Sequence, residues 1–328
     1  MRVFVTGGTG FVGANLVRLL LQKGYQVRAL VRPQSRLDNL QGLDVECITG
    51  DLSDPGLTVA LKGCEVLFHV AAHYSLWRAD RKLLRQSNVL GTRRILKAAR
   101  DASVERTVYT SSVAAIGVRE GGVADETYQS PVERLVGDYK KSKFWAEQEA
   151  HQAVKMGQDV VIVNPSTPIG SWDVKPTPTG EIILRFLRQQ MPFYLNTGLN
   201  LIHVQDVAQG HLLALEKGRT GERYILGNQN LTLKDILGLL STLTELPAPR
   251  FGIPACLPLL IAYLDEQVLA RFGKPPSVPI DGVKMARQQM FYDASKAVQE
   301  LELPQTPVKI ALKDAIDWFT AHGYVKGA

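Results

Sequence analysis

The chain alternates short apolar runs with longer stretches in which apolar residues recur every three or four positions. The short runs predict strands at Arg2–Thr6, Gln26–Val31, Val45–Ile48, Val66–Val70, Thr107–Thr110 and Val160–Val163. The longer patterns predict helices at Phe11–Gln22, Arg81–Asp101 and Arg134–Val154. Strands that are apolar almost throughout and are separated by helices are typical of a parallel sheet covered on both faces. The predicted fold class is therefore α/β, with a doubly wound parallel sheet.

Beyond residue 165 the pattern becomes less regular. Proline and glycine become frequent, as in "VKPTPTG", "ELPAPRFGIPACLP" and "FGKPPSVP", and long loops separate the helices. We therefore expect a cofactor-binding sheet domain over residues 1–165. The remainder, 166–328, is expected to be mainly a smaller substrate-binding region, with some segments returning to the sheet.

A chain of 328 residues with 45% hydrophobic residues can bury a large core. Its longest apolar patch, Ile253–Leu264, contains two prolines and is too short to cross a bilayer. No charged and apolar leader precedes the first strand, so we expect a cytoplasmic protein without an integral membrane segment. Cys47, Cys64 and Cys256 have no paired spacing and the histidines form no HExxH motif, so we expect neither a disulfide framework nor a metal site.

The formal net charge of +6 raises the question of nucleic-acid binding. Much of the excess positive charge is spread around one helical pattern whose apolar side faces the core. Its basic residues are Arg78, Arg81, Lys82, Arg85, Arg93, Arg94, Lys97 and Arg100. No nucleic-acid-binding motif accompanies them, and a positive field also suits an anionic cofactor or small-molecule substrate. We therefore expect no nucleic-acid partner.

A glycine-rich turn follows the first strand at once, in "VFVTGGTGFVGANLVRLLLQKG". Gly7, Gly10 and Gly13 have the spacing G-x-x-G-x-x-G and open a helix. Glycine at such positions allows a tight turn and lets backbone N–H groups approach a pyrophosphate at the positive end of the helix. On the first strand of a βαβ unit, this pattern predicts a dinucleotide site of the Rossmann type.

The end of the second strand indicates which dinucleotide fits. An NAD site usually has Asp or Glu there, to bind the ribose 2′-hydroxyl. Here the strand ends in "RALVRPQSR", with Arg32 and Arg36 and no acidic residue before Asp38. A guanidinium can bind a 2′-phosphate through two hydrogen bonds, whereas a carboxylate would repel it. We therefore expect a preference for NADP(H), with NAD(H) possible.

The stretch "GDYKKSKFWAE" places a tyrosine close to three lysines. Tyr139 and Lys143 are four residues apart and share a helix face, whereas Lys140 and Lys141 are rotated away and are expected to be solvated. An adjacent ammonium favours the phenolate and lowers the pKa of a tyrosine toward neutrality. The spacing alone is common, so the neighbouring motifs carry the interpretation.

Those motifs are "GDLSD", "HVAA", "NVLGT", "YTSSVAAIG", "YKKSKFWAE" and "NPSTPIG", in this order. The whole chain resembles the extended short-chain dehydrogenase/reductase superfamily. Within it, "VIVNPSTPIGSWDVKPTPTG" and "YLNTGLNLIHVQDVAQGHLLALEKGRTGERYILG" are most similar to the hopanoid-associated sugar epimerase family, which is itself similar to dihydroflavonol 4-reductases. The resemblance implies that Tyr139 is the catalytic acid/base and that Lys143 binds the nicotinamide ribose, with the positive charges of Lys143 and of the nicotinamide together favouring the phenolate. It also implies that Ser112, counted back from Gly117, binds the substrate oxygen, with Ser111 as the alternative.

The resemblance and the glycine-rich turn together assign the remaining site residues. Asp51 is expected to meet the adenine, and Asn88 to help to fix Lys143. The cofactor set is Gly7, Thr9, Gly10, Phe11, Val12, Arg32, Arg36, Asp51, Leu52, Ala71, Ala72, Asn88, Thr110, Ser111, Tyr139, Lys143, Pro165, Ser166 and Thr167. The substrate pocket is expected beyond the carboxyl ends of the strands, lined by His73, Tyr74, Trp77, Val113, Thr167, Pro168, Thr179, Asn196 and His203.

Three functions remain open at this point. The first is a reductase that transfers hydride from NADPH to a ketone, or the reverse. The second is a nucleotide-sugar epimerase or dehydratase that retains its cofactor, and the third is a non-catalytic cofactor sensor. The intact Ser112, Tyr139 and Lys143 disfavour the sensor, and Arg32 favours the reductase. An epimerase also needs a cationic clamp for the sugar pyrophosphate, for which Arg223, Arg250 and Arg287 are candidates without a clear match to the family's arginine.

The resemblance further implies a homodimer. The pairing would use the helices around Arg81–Arg100 and Arg134–Val154, in a four-helix bundle. Phe144, Ala146 and Ala150 of the second helix are the apolar positions expected to pack on the partner.

Overall fold

The computed structural model describes residues 1–253, 265 and 280–325. Its strands are β1 Arg2–Thr6, β2 Gln26–Val31, β3 Val45–Thr49, β4 Val66–His69, β5 Arg106–Thr110, β6 Val160–Pro165, β7 Thr167–Ile169, β8 Phe193–Leu195, β9 Gly198–His203, β10 Arg223–Leu226, β11 Gln229–Thr232, β12 Phe251–Ile253 and β13 Gln289–Met290. Its helices are α1 Phe11–Gln22, α2 Leu57–Leu61, α3 Arg81–Leu84, α4 Gly91–Asp101, α5 Val113–Ile116, α6 Gly137–Lys155, α7 Pro178–Leu187, α8 Val204–Lys217, α9 Leu233–Thr244, α10 Ile280–Met285, α11 Ser295–Leu301 and α12 Val308–Ala321. Single turns of 3₁₀-helix lie at Arg78–Asp80 and Val132–Arg134, and a π-helical segment at Arg85–Leu90 joins α3 to α4.

The main sheet is parallel throughout and, within the described residues, has the strand order β10-β6-β5-β4-β1-β2-β3. The chain builds outward from β1 to β3, then crosses to the other side of β1 and continues from β4. This reversal places a crevice at the carboxyl ends of β1 and β4, where doubly wound sheets bind ligands. The α/β class and the doubly wound sheet are confirmed.

Strand β10 extends the main sheet although it comes from beyond residue 166. Arg223 to Leu226 pair in parallel with Ile162 to Pro165 of β6. Every residue of β6 is buried, because neighbouring strands and helices cover both of its edges and both of its faces.

A second sheet lies in the C-terminal half. Strand β9 pairs antiparallel with β11 and in parallel with β7 and β13. Helices α7, α9 and α12 pack on one another and carry the second hydrophobic core, with Phe186, Leu240 and Phe319 among its buried residues. This core is separate from the one beneath the main sheet.

Helices α1 and α8 join the two halves of the chain. They pack against each other, with Leu16, Leu20 and Leu212 in one buried cluster. Asn15 is fully buried between them; its Nδ2 donates to Ser171 O at 3.1 Å, and its Oδ1 accepts from Gln205 Nε2 at 2.8 Å. A buried amide needs such partners, so this contact fixes α1 relative to the C-terminal half.

Two expectations about the helices need correction. The helix predicted at Arg81–Asp101 is interrupted by the π-helical segment, which the apolar pattern does not show. Ala146 and Ala150 do not face outward: both are completely buried and pack against β5 and β6. In the described part of the chain, no helix has the length and apolar character needed to cross a membrane. Cys256 and most of the apolar patch Ile253–Leu264 lie outside the described residues.

Candidate active site

In the glycine-rich turn, the backbone approaches the segment after β4 and folds closely onto itself. Gly7 has a φ of +75°, and a Cβ there would lie 2.7 Å from the amide nitrogen of Ala71. A Cβ on Gly13 would lie 2.1 Å from the carbonyl oxygen of Gly7. Helix α1 begins after Gly10 without a side-chain cap, which leaves its first N–H groups available just beyond the end of β1. This glycine-lined helix end fits a dinucleotide pyrophosphate.

Buried side chains hold the ends of β1 and β4 together. Thr6 Oγ1 accepts from the amide of Ala71 at 3.2 Å and lies 2.7 Å from Nδ1 of His69. Nε2 of His69 lies 3.0 Å from Thr92 Oγ1, on α4. Burial, and then the charge of Lys143, lower the pKa of His69 to about 3, so the ring is neutral. We therefore interpret His69 as a structural residue beside the site.

The end of β2 carries exposed positive charge. Arg32 is exposed, whereas the guanidinium of Arg36 forms an ion pair with Asp38 at 2.7 Å. Asp51 lies at the end of β3 and accepts hydrogen bonds from Ser53. Those hydrogen bonds are the main reason why the pKa of Asp51 is lowered, and the charge of Arg32 adds to the effect. Arg32 thus lies near the acidic residue assigned to the adenine.

Ser112, Tyr139 and Lys143 come together at the end of β5. Nζ of Lys143 donates to Thr110 O at 2.9 Å, and the lysine is 3% exposed. Burial raises the pKa of the partly buried Tyr139 to about 12, and a hydrogen bond with Ser112 opposes this rise. Burial also lowers the pKa of Lys143 to about 8, against the charge of Glu147.

These directions correct two expectations. The protein groups alone raise the pKa of Tyr139, because burial outweighs the hydrogen bond with Ser112, and the ammonium of Lys143 is bound to Thr110 O. The positive charge of a bound nicotinamide, the second charge expected to favour the phenolate, would oppose this rise. Lys140 is not solvated: it is 5% exposed, and burial lowers its pKa to about 8. Lys141 is partly exposed.

Asn88 lies in the π-helical segment and is buried. Its Oδ1 accepts from the amide of His73 at 2.7 Å, and its Nδ2 donates to His73 O and to Ser142 Oγ, both at 2.9 Å. Ser142 in turn donates to Tyr139 O at 2.7 Å. Asn88 therefore reaches helix α6, which carries Tyr139 and Lys143, through Ser142, and makes no direct hydrogen bond to Lys143 in the described structure. A π-helical turn widens the helix locally, which is a common feature of functional sites.

Ser112 is better placed than Ser111. Ser112 caps α5, its Oγ accepts from the amide of Ala114 at 3.1 Å, and it reaches Tyr139. The hydroxyl of Ser111 is fully enclosed and lies beside the buried phenol of Tyr109 rather than that of Tyr139. The hydroxyl of Ser166, at the β6–β7 junction, is enclosed in the same way.

The residues proposed for the pocket wall fall into two groups. The ring of Tyr74 lies edge-on to that of Tyr139, with centroids 4.6 Å apart. His73 is held by Asn88, and Val113, Trp77 and Pro168 are in segments that adjoin the strand ends.

The second group lies farther along the chain. His203 caps α8 through Nδ1, and its Nε2 is 3.3 Å from a carboxylate oxygen of Asp314. Thr179 is in the first turn of α7, and Asn196 is exposed between β8 and β9. In the part of the chain that is described, no hydrogen bond or ring contact joins these residues to Tyr139.

One group of site residues is missing from the sequence-based prediction. Glu147 is 1% exposed, and its carboxylate accepts from Nη1 of Arg223 at 2.9 Å and from Nδ2 of Asn164 at 2.8 Å. Asn164 also donates to Ser112 O at 3.0 Å. Arg223 is therefore engaged inside the protein, which disfavours it as a pyrophosphate clamp. The sequence did offer one signal for this role. Glu147 lies one helical turn after Lys143, on the same face as the apolar Ala146, where a carboxylate would be expected to be buried.

The chain matches known proteins over nearly its full length. The matching family model, over residues 3–227, is described as the NAD dependent epimerase/dehydratase family. A putative dihydroflavonol 4-reductase from Synechocystis sp. is 66% identical, covering 98% of this chain and 96% of its own length. Sterol demethylase protein B from Methylococcus capsulatus is 38% identical, covering 99% of this chain and 100% of its own.

The fold has a close match among solved structures. The crystal structure of gox2253 is 44% identical, with a TM-score of 0.88, and the match covers 99% of each chain. The glycine-rich helix end, the sheet order and the relatives agree. The resemblance seen in the motifs is confirmed: the chain belongs to the NAD dependent epimerase/dehydratase family, within the extended short-chain dehydrogenase/reductase superfamily.

Proposed function

We propose that the protein is an NADP(H)-dependent oxidoreductase that interconverts a ketone and a secondary alcohol. The observation that carries the proposal is the convergence of Ser112, Tyr139 and Lys143 beside a glycine-lined helix end. A dinucleotide bound there supplies or accepts the hydride at the nicotinamide. The similarity to a putative dihydroflavonol 4-reductase supports reduction of a carbonyl.

The side chains have separate roles in the reduction. Ser112 donates a hydrogen bond to the substrate oxygen and orients the carbonyl. As hydride adds to the carbonyl carbon, the π electrons move to oxygen, and Tyr139 transfers its phenolic proton to that oxygen. The resulting phenolate is stabilised by the buried ammonium of Lys143 and is reprotonated from solvent. Oxidation of the alcohol runs through the same steps in reverse.

We also propose that the cofactor is NADP(H), because the end of β2 presents Arg32 and no acidic residue. The matched pair of variants is Arg32→Glu and Arg36→Glu, since Arg36 is already paired with Asp38. Arg32→Glu should weaken NADPH binding strongly and NADH binding little, because it places a carboxylate beside the 2′-phosphate. Arg36→Glu should have the smaller effect. The measurement is a fluorescence titration with each cofactor, and equal losses for NADPH and NADH would contradict the assignment.

The second candidate is an epimerase or dehydratase that retains its cofactor. The family description favours it, and the engagement of Arg223 with Glu147 disfavours it. The two candidates differ in the state of the purified protein. An enzyme that exchanges cofactor is purified largely empty, whereas tightly retained NAD would favour the epimerase.

We further propose a boundary near residue 165 between the cofactor and substrate regions. We also propose a homodimer formed through α3, α4 and α6. The exposed ring of Trp145, which packs edge-on against Phe144, and the exposed side chain of Leu83 support the dimer. They replace Ala146 and Ala150 as the apolar contacts.

A further inference from the structure

A buried network connects the catalytic helix with strand β10. Glu147 follows Lys143 by one helical turn, on the buried side of α6. Such i, i+4 positions are neighbours on a helix. The Glu147 carboxylate binds Arg223 of β10 and Asn164 of β6, at 2.9 and 2.8 Å. One side chain thus joins α6 to the two outermost strands on this side of the sheet.

The same network reaches Ser112. Nδ2 of Asn164 donates both to Glu147 Oε2 and to Ser112 O, at 2.8 and 3.0 Å. Arg223 also donates to the carbonyls of Glu126 and Tyr128, in the segment after α5, at 2.8 and 2.9 Å. Displacing Glu147 would therefore disturb the strand end that carries Ser112 as well as the helix that carries Tyr139.

Among the groups that surround Lys143 in the described structure, Glu147 is the acidic one. From β4, His69 faces Lys143 and is neutral; from β5, the Tyr109 ring lies 5.4 Å from Nζ. Thr110 O accepts from Nζ, and the Thr110 hydroxyl contacts His211 of α8, whose pKa burial lowers to about 4. Glu147 is the acidic group that opposes the lowering of the Lys143 pKa by burial.

A buried carboxylate is stabilised by neighbouring positive charge. Glu147 has two such neighbours, the guanidinium of Arg223 and the ammonium of Lys143. Glu147 and Arg223 form a nearly enclosed pair, with side chains 2% and 14% exposed. Breaking such a pair leaves an uncompensated charge in a medium of low polarity. Neutralising Glu147 and neutralising Arg223 should therefore act on Lys143 in opposite directions.

We propose that Glu147, itself held by Arg223, is a positioning residue of the reaction: its carboxylate acts on the Lys143 ammonium from one helical turn away and holds the Ser112 peptide in place through Asn164. The role of Lys143 in turnover rests on the proposed function, whereas the coupling between Glu147 and Lys143 does not. Glu147 touches neither the reacting atoms nor the crevice, so its effect on the reaction is indirect.

The test measures the titration of Lys143 by NMR of the lysine side chains, in the full-length protein. A Lys143→Arg variant assigns the signal. In Glu147→Gln, Lys143 should titrate lower than in the wild type, by about one pH unit, because the neighbouring negative charge is gone. In Arg223→Gln, Lys143 should titrate higher, because it becomes the main cation of Glu147. Glu149→Gln is the matched control, since Glu149 is on the same helix but pairs with the exposed Arg93.

The pH dependence of kcat gives the second measurement. The alkaline limb should move to lower pH in Glu147→Gln and stay in place in Glu149→Gln. An unmoved Lys143 titration in Glu147→Gln, shifts of the same sign in both variants, or failure of both to fold by circular dichroism would overturn the proposal. A shifted titration with an unmoved activity limb would refute the role of Glu147 in turnover and leave the coupling standing. Loss of the reductase assignment alone would not change the titrations.

Discussion

Three lysines follow Tyr139 within four residues, and the fold gives each a different environment. Lys143 is buried and donates to Thr110 O. Lys140 is also buried, but within the described structure its ammonium has no hydrogen-bond or ion-pair partner. Lys141 is partly exposed. Substitution of each lysine by methionine, which keeps the length of the side chain, should therefore give three different results.

Lys143→Met should lower kcat by about 10²-fold or more, because the Tyr139 phenolate loses its neighbouring cation. Lys140→Met should raise the free energy of unfolding at pH 7, by up to about 3 kcal/mol, because burial of this side chain disfavours its charged form. Lys141→Met should change neither quantity. The measurements are steady-state kinetics and urea unfolding.

The pH dependence of the free energy of unfolding provides a second test of the burial of Lys140, and its direction follows from the lowered pKa. Burial lowers the pKa of Lys140 from 10.5 to about 8 in the folded state. Between these values the unfolded chain binds more protons, so the contribution of Lys140 to stability rises with pH. The Lys140→Met protein should lack that part of the rise. A Lys140→Met protein that is less stable than the wild type at pH 7 would show that the lysine has a stabilising partner.

Helical spacing correctly predicted that Lys143 lies on a different face from Lys140 and Lys141. It could not predict that Lys140 is buried as well. The spacing shows which side chains share a face, whereas burial on the flank of a helix depends on elements distant in sequence, here including α5. Glu147 was overlooked for the same reason. Its partners Asn164 and Arg223 are 17 and 76 residues away, so no local pattern connects them.

Among the elements, the strands and α1 follow their sequence patterns closely, because continuous apolar runs and the glycine-rich turn are local signals. The π-helical segment does not, since Arg85–Leu90 has the sequence "RQSNVL", which contains no local signal for a change of helix type. Its effect is to bring Asn88 between the end of β4 and Ser142. Such a turn is stabilised by these tertiary contacts, which a single helical pattern does not contain.

The exposed face of α6 gives a prediction for assembly. Trp145 is 50% exposed on this helix, whereas Val59 is 68% exposed on α2, outside the proposed interface. If α4 and α6 form the dimer, Trp145→Glu should produce a monomer at micromolar concentration, because it places a charge in an apolar contact. Val59→Glu should remain dimeric. Sedimentation velocity distinguishes the species, and a wild-type monomer would reject this interface.

For the whole molecule, the fold class and the positions of the first six strands along the chain could be anticipated from the alternation of strands and helices. The seventh strand could not. Arg223–Leu226 is a short apolar run like several others in the C-terminal half, and its place beside β6 depends on pairing across about 60 residues. The sheet thus becomes complete only when the C-terminal half has folded.

Because β10 lies about 60 residues after β6 in the sequence, its pairing with β6 limits where the chain can be truncated. A chain ending after residue 165 would keep the glycine-rich turn and Tyr139 but would leave β6 as an open edge. That edge, "VVIVNP", is apolar along most of its length and carries no charge to discourage strand addition. Such a fragment should aggregate on expression, measurable by light scattering, whereas one extended through Leu226 should scatter less. The proposed boundary between the cofactor and substrate regions would then be the wrong place to truncate the chain.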